Sequence, residues 1–187
     1  MSEAEKQIQY IEEMIATTKG NLSNGSVHFL LWGWLVFAAA VTNYILLNVV
    51  EYNNHWIAWP ILLSLGGVLA VVIGRRQGKK QIVVTKIDKM LIQLWSGFGI
   101  TMLVFLIAMA AIGPVIVYPM LVALYGFGTF VSGGILDFKP LKVGAIAAWV
   151  CAIFGFFQPD FGMQLILLAA AILLCYIIPG HLLAAKK

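Results

Sequence analysis

Long apolar runs fill most of the chain, with short polar breaks between them. The first runs from Val27 to Val50, the second from Trp56 to Gly74 and the third from Met90 to Ile112. The fourth covers Val115 to Leu136, the fifth Leu141 to Gln158 and the sixth Phe161 to Pro179. Each is close to the ~20 residues that carry an α-helix across roughly 30 Å of hydrocarbon at about 1.5 Å per residue. The runs are continuous and lack the period-two alternation of a barrel strand, so helix is the predicted element. The pattern predicts an all-α membrane protein with six transmembrane helices in residues 27–187, after a polar segment in residues 1–26.

That segment has its own pattern. Ser2-Glu3-Ala4-Glu5 matches a capping box opening a helix. Ala4, Ile8, Ile11 and Ile15 then share one face, with Glu5, Glu12 and Glu13 elsewhere. A short amphipathic helix ending near Gly20 is expected, with Asn21–Ser26 as a linker into the first span. A polar start carrying four glutamates is unlike a cleavable signal peptide.

Composition agrees with a bilayer setting. The chain is 61% apolar and 11% charged, against about 25% charged in soluble domains. Too few charges are present to cover a water-facing surface. Cys151 and Cys175 both lie in apolar runs and read as small buried hydrophobes.

Charge placement sets the orientation. The breaks Glu51–His55, Gly113–Pro114 and Pro159–Asp160 contain no Lys or Arg. All 12 basic residues fall in the N-terminal segment, the link from Arg75 to Lys89, the link with Lys139 and Lys142, and the tail with Lys186 and Lys187. Positive-inside bias makes that side, with both termini, cytoplasmic. Tyr52, Trp56, Trp59, Tyr118 and Phe161 are expected at the opposite interface, and Trp32, Phe138 and Tyr176 at the cytoplasmic one.

The short breaks pair the spans into three antiparallel hairpins. A repeat of about 60 residues runs through the first two. Trp59-Pro60 is followed by Gly67 and Gly74, and Tyr118-Pro119 by Gly126 and Gly133 at the same offsets. Trp34 and Phe37 likewise match Trp95 and Phe98. Small residues recur every four positions at Gly66, Ala70 and Gly74, at Gly128 and Ser132, and at Gly144, Ala148 and Ala152. Such stripes suit close helix packing within the bundle or a homo-oligomer face.

Candidate chemistry is sparse. No ionisable residue lies near the middle of a span, which argues against a pump built on a buried carboxylate. Asn43, Ser96, Thr101 and Thr129 are the neutral groups that could line a polar path between hairpins, with Asn43 foremost because its amide needs partners for donor and acceptor alike. Interhelical hydrogen bonding is the ordinary role of such residues, Gln164 included. His28 and His181 sit at the same interface and are the only candidates for a metal or haem, without a ligand motif or a third ligand. No HExxH, GxSxG or Walker motif is present, so no enzyme activity or cofactor is expected. Arg75, Arg76, Lys79 and Lys80 form a basic surface. It could receive the acidic N-terminal helix or a cytoplasmic protein partner. Topology explains this basic cluster fully, so no nucleic acid is expected.

The glycine-punctuated stretch LVALYGFGTFVSGGIL, Leu121–Leu136, resembles helices of the bacterial acid-resistance membrane protein family, the HdeD-like proteins. Those are six-span proteins built from three hairpins; the N-terminal amphipathic helix departs from them. His28–Val36, HFLLWGWLV, with Ile177–His181, is similar to uncharacterised six-span proteins of bacteria. These resemblances imply a bacterial inner membrane and no known catalytic activity. The expected function is a non-enzymatic stress-related or regulatory membrane protein. A small-solute facilitator or lipid-handling protein is the alternative, and a metal- or haem-binding membrane protein the second alternative.

Overall fold

The computed structural model describes residues 3–80 and 85–185, with side chains over 26–78 and 85–185. Six helices are long and apolar enough to cross a membrane: Ser26–Asn48, His55–Gly78, Lys86–Ile112, Pro114–Ile135, Lys139–Phe156 and Phe161–Ala185. The protein is an all-α, multi-pass membrane protein, and each predicted span has its helix.

Helix α1 (Glu3–Asn48) is continuous through 21–26, where a linker is expected from the sequence. Asn and Gly cost a helix interior at most about 1 kcal/mol each, and no proline interrupts this stretch. A helix already nucleated by the first span extends cheaply. A single 3₁₀ turn, His55–Ile57, leads into α2 (Ala58–Lys80). A capping box opens α3 (Lys86–Ile112): the Asp88 N–H donates to Thr85 Oγ1 at 3.2 Å, and the Thr85 N–H to Asp88 Oδ2 at 2.9 Å. Only Gly113, at φ +80°, separates α3 from α4 (Pro114–Ile135). Glycine accommodates that φ, and proline in the first turn loses no hydrogen bond.

After α5 (Lys139–Phe156), the sixth span comprises α6 (Phe161–Ile172), a π-helical turn (Leu173–Ile177) and α7 (Ile178–Ala185). Pro179 has no N–H to offer the carbonyl four residues back. The ladder shifts instead, with the Ile178 N–H donating to Leu173 O, five residues back. The span therefore runs past Pro179 to Ala185.

Glycine contacts decide which helices touch. The three expected hairpins pack as pairs, yet the most intimate contact lies between hairpins, from α4 to α5. A Cβ at Gly126 would lie 2.7 Å from Trp149 Cδ1 and Nε1, and one at Gly133 would lie 2.9 Å from Leu141 Cβ. Gly144, Ala148 and Ala152 are all buried on α5. A Cβ at Gly144 would collide with the Leu174 carbonyl oxygen in the π-helical turn. Gly33 brings α1 against Tyr176 and Ile177. Helices α1, α4, α5 and α6 thus form the core. At backbone level α2 packs on α1 and α3 on α4, while α2 and α3 scarcely meet. No residue of α3 is buried.

One substitution should have opposite signs at two glycines. Gly144→Ala should lower the unfolding midpoint, with the overpacking cost of about 1–3 kcal/mol. Gly97→Ala, where nothing lies within 4 Å of the new Cβ, should be neutral or raise it by up to about 1 kcal/mol. Thermal unfolding of both variants in the same detergent checks the contrast.

Candidate functional site

A cavity of about 590 Å³ occupies the gap between α2 and α3, within the ~300–1,000 Å³ usual for ligand sites. Its α3 wall is one helical stripe: Asp88, Leu91, Ile92, Trp95, Phe98, Gly99 and Met102. The α2 wall carries Leu63, Gly74, Gln77 and Gly78. Phe29 and Trp32 of α1, Tyr125 of α4, Leu136 just after it, and Tyr176 of the π-helical turn form the back. From Asp88 to Met102 the wall rises about 21 Å at ~1.5 Å per residue. That exceeds half of the roughly 30 Å of membrane hydrocarbon.

The charged, imidazole and amide side chains of the lining, His28, Gln77 and Asp88, gather at one end of this slot. His28 Nε2 lies 3.2 Å from Gln77 Oε1, joining α1 to α2. Asp88 accepts from the Thr85 N–H at 2.9 Å and the Thr85 hydroxyl at 2.8 Å. Exposed Arg75 and Arg76 precede Gln77 on α2, and exposed Lys86 and Lys89 flank Asp88 on α3. Above that end the lining is apolar and aromatic.

The aromatic rings fix the slot's shape. Ring centroids are 5.8 Å apart for Phe29 and Trp95, 5.2 Å for Phe29 and Tyr176, and 5.0 Å for Trp95 and Phe98. Phe98 meets Tyr125 at 5.3 Å, and Tyr125 meets Tyr176 at 5.5 Å. These separations and tilted or edge-on planes are the favoured aromatic geometries. The network ties α3 to α1, α4 and the sixth span without using α2.

The proposed polar path is not assembled. Asn43, Ser96, Thr101 and Thr129 all lie off the slot lining. Ser96 Oγ donates to the Ile92 carbonyl, and Thr101 Oγ1 to the Gly97 carbonyl at 2.9 Å. Hydroxyls in apolar helices commonly satisfy themselves on the preceding turn in this way. Thr129 is fully buried between helices, beside Cys175 and Tyr176 of the π-helical turn.

Asn43 instead locks the first hairpin at the end remote from Arg75. In the amide orientation that satisfies every neighbour, its nitrogen donates to His55 Nδ1 at 2.7 Å and to the His55 carbonyl at 3.1 Å. Its oxygen accepts from Trp59 Nε1 at 2.8 Å. Gln164 does the same for the other hairpins, donating to the Val115 and Gln158 carbonyls, each at 2.8 Å. Tyr118, 6.1 Å from Trp59 and 4.9 Å from Phe161 between ring centroids, bridges the two locks.

The histidine candidates take separate partners. His28 faces Gln77 in the slot mouth, whereas exposed His181 lies edge-on to Trp34, 6.3 Å between centroids. Among the described residues no three His, Cys, Asp or Glu side chains converge as a metal site. Arg75 and Arg76 are exposed, as a contact surface requires. The side chains of Lys79 and Lys80, and those of the N-terminal helix expected to dock there, lie outside the described residues. The sequence marked Trp32 and Tyr176 as interfacial and Trp95 and Phe98 as part of a repeat, but not as a cavity wall, because core and lipid-facing positions use the same residue types. Its readable signal was the stripe of three- and four-residue steps along α3 opposite the glycines of α2.

Comparison of the chain with protein-family models, with curated proteins and with solved structures finds no match. None of the three bears on the resemblance to the acid-resistance membrane proteins.

Asn43→Ala should destabilise the fold by about 1–3 kcal/mol, because Trp59 Nε1 and His55 lose a buried partner. Ser96→Ala and Thr101→Ala should each shift stability by less than about 0.5 kcal/mol, as no interhelical bond is removed. Unfolding midpoints of the three variants measure the difference.

Proposed function

We propose that this protein is a non-enzymatic, lipid-handling protein of the bacterial inner membrane, which holds an anionic amphiphile in the slot between α2 and α3. The observation that carries this is the slot's single polar end. A cavity with a wall about 21 Å long, whose charged, imidazole and amide side chains lie at its mouth, suits a molecule with one headgroup and an apolar chain. The gap between two peripheral helices lets such a molecule enter sideways from lipid.

Positive-inside bias supports a cytoplasmic mouth, with both termini on that side. His28 and Gln77 offer hydrogen bonds there, and Arg75, Arg76, Lys86 and Lys89 surround it with positive charge. Basic residues near the cytoplasmic surface attract acidic lipid by about 1 kcal/mol each. The ligand class is accordingly a phospholipid with a net negative headgroup. Binding, rather than bond-making, suits a mouth where His28 is engaged by Gln77 and Asp88 by Thr85. A regulatory role is compatible, with slot occupancy as the variable that is sensed.

Native mass spectrometry of protein purified in mild detergent tests this. Phosphatidylglycerol should be retained in preference to phosphatidylcholine. Gly99→Trp, which fills the slot where nothing lies within 4 Å of the new Cβ, should lose it with unchanged helix content. Equal retention by Gly99→Trp would sink the proposal.

A further inference from the structure

The slot has the form of an opened helix–helix seam. Its α3 face steps through Leu91, Trp95, Phe98 and Met102, the spacing of a packing stripe. Facing it, α2 presents Gly74 and Gly78; Gly67 follows the lining residue Leu63 by four positions and precedes Gly74 by seven, the spacing of one helix face, and a Cβ at any of the three glycines would meet nothing within 4 Å. Large residues on one wall and small ones on the other are complementary surfaces held apart.

The internal repeat supplies the closed form. Gly67 and Gly74 correspond in offset to Gly126 and Gly133 of α4. On α4 those glycines are in tight contact with the next helix, α5, where Trp149 sits on Gly126 and its Nε1 donates to the Ala123 carbonyl at 3.1 Å. The preceding positions correspond as well: Gly66 faces α1 through Leu35 and Trp32, and Tyr125 faces α3 through Phe98. Equivalent faces therefore meet the helix before them in both hairpins, but only α4 meets the helix after it.

We infer that α2 is a movable wall that closes on α3, seating Trp95 and Phe98 over Gly67 and Gly74 as Trp149 seats on Gly126. The pivot is the Asn43–His55–Trp59 lock, which holds the far end of α2 to α1. The moving end is tied to α1 by the His28–Gln77 contact near the basic face. Closure empties the slot, so the two forms compete with whatever occupies it. This inference is independent of the amphiphile's identity.

Spin labels at Val72→Cys and Met90→Cys, exposed positions outside the slot lining and the basic mouth, with Cys151 and Cys175 replaced by Ala, report the width of the slot near its mouth in the full chain. Two distance populations are expected in nanodiscs, the shorter matching helix axes about 8–10 Å apart. Gly67→Leu/Gly74→Leu should abolish the shorter population only. Added lysophosphatidylglycerol should enlarge the longer one. Two populations indifferent to lysophosphatidylglycerol would leave closure standing and count against the amphiphile. A single long distance in the parent protein under every condition would overturn closure, as would persistence of the short distance in the Gly67→Leu/Gly74→Leu variant. The parent measurement decides even if that variant fails to fold.

Discussion

Helices surrounded by lipid gain nothing from hiding apolar side chains from one another, because the lipid is equally apolar. Close packing must come from backbones that can touch, and glycine sets where they do. In this protein Gly126, Gly133 and Gly144 weld α4, α5 and the sixth span, and Gly33 adds α1. The same residue type is left open on α2 and α3, at Gly67, Gly74, Gly97 and Gly99. A tight four-helix core and a loose peripheral pair follow from that uneven use.

The locks at the face opposite the basic residues complement the glycines. Asn43 and Gln164 gather helix ends by buried amide hydrogen bonds, with Tyr118 edge-on to Trp59 and Phe161 between them. Near Arg75 the described side-chain link is His28 to Gln77, which joins α1 to α2. The bundle is closed at one end and parted at the other. An elongated, aromatic slot with a polar mouth is what such a parting produces.

Much of this was legible in the sequence, and the misses share causes. The six spans were readable because lipid demands continuous apolar helices of fixed length. Gly20, Gly25 and the asparagines suggested a linker, yet α1 passes through them because a helix tolerates each at small cost. Pro179 suggested a helix end, and one π-helical turn absorbs it. Ser96 and Thr101 suggested a path, but each bonds to its own helix. The slot was hidden for a different reason: Trp95, Phe98 and Tyr176 line it with the residues any membrane helix uses, and only three-dimensional placement separates a cavity wall from a lipid-facing side.

The central claim is that an acyl chain lies between α2 and α3 rather than merely around the bundle. Photo-crosslinking with a phosphatidylglycerol carrying a diazirine in its acyl chain, followed by mapping of the adducts, tests it directly. Adducts concentrated on Leu63, Trp95, Phe98 and Met102 are predicted. Adducts confined to lipid-exposed positions of α3 such as Ile100, Leu103, Val104 and Ile107, with the slot residues unlabelled, would contradict it.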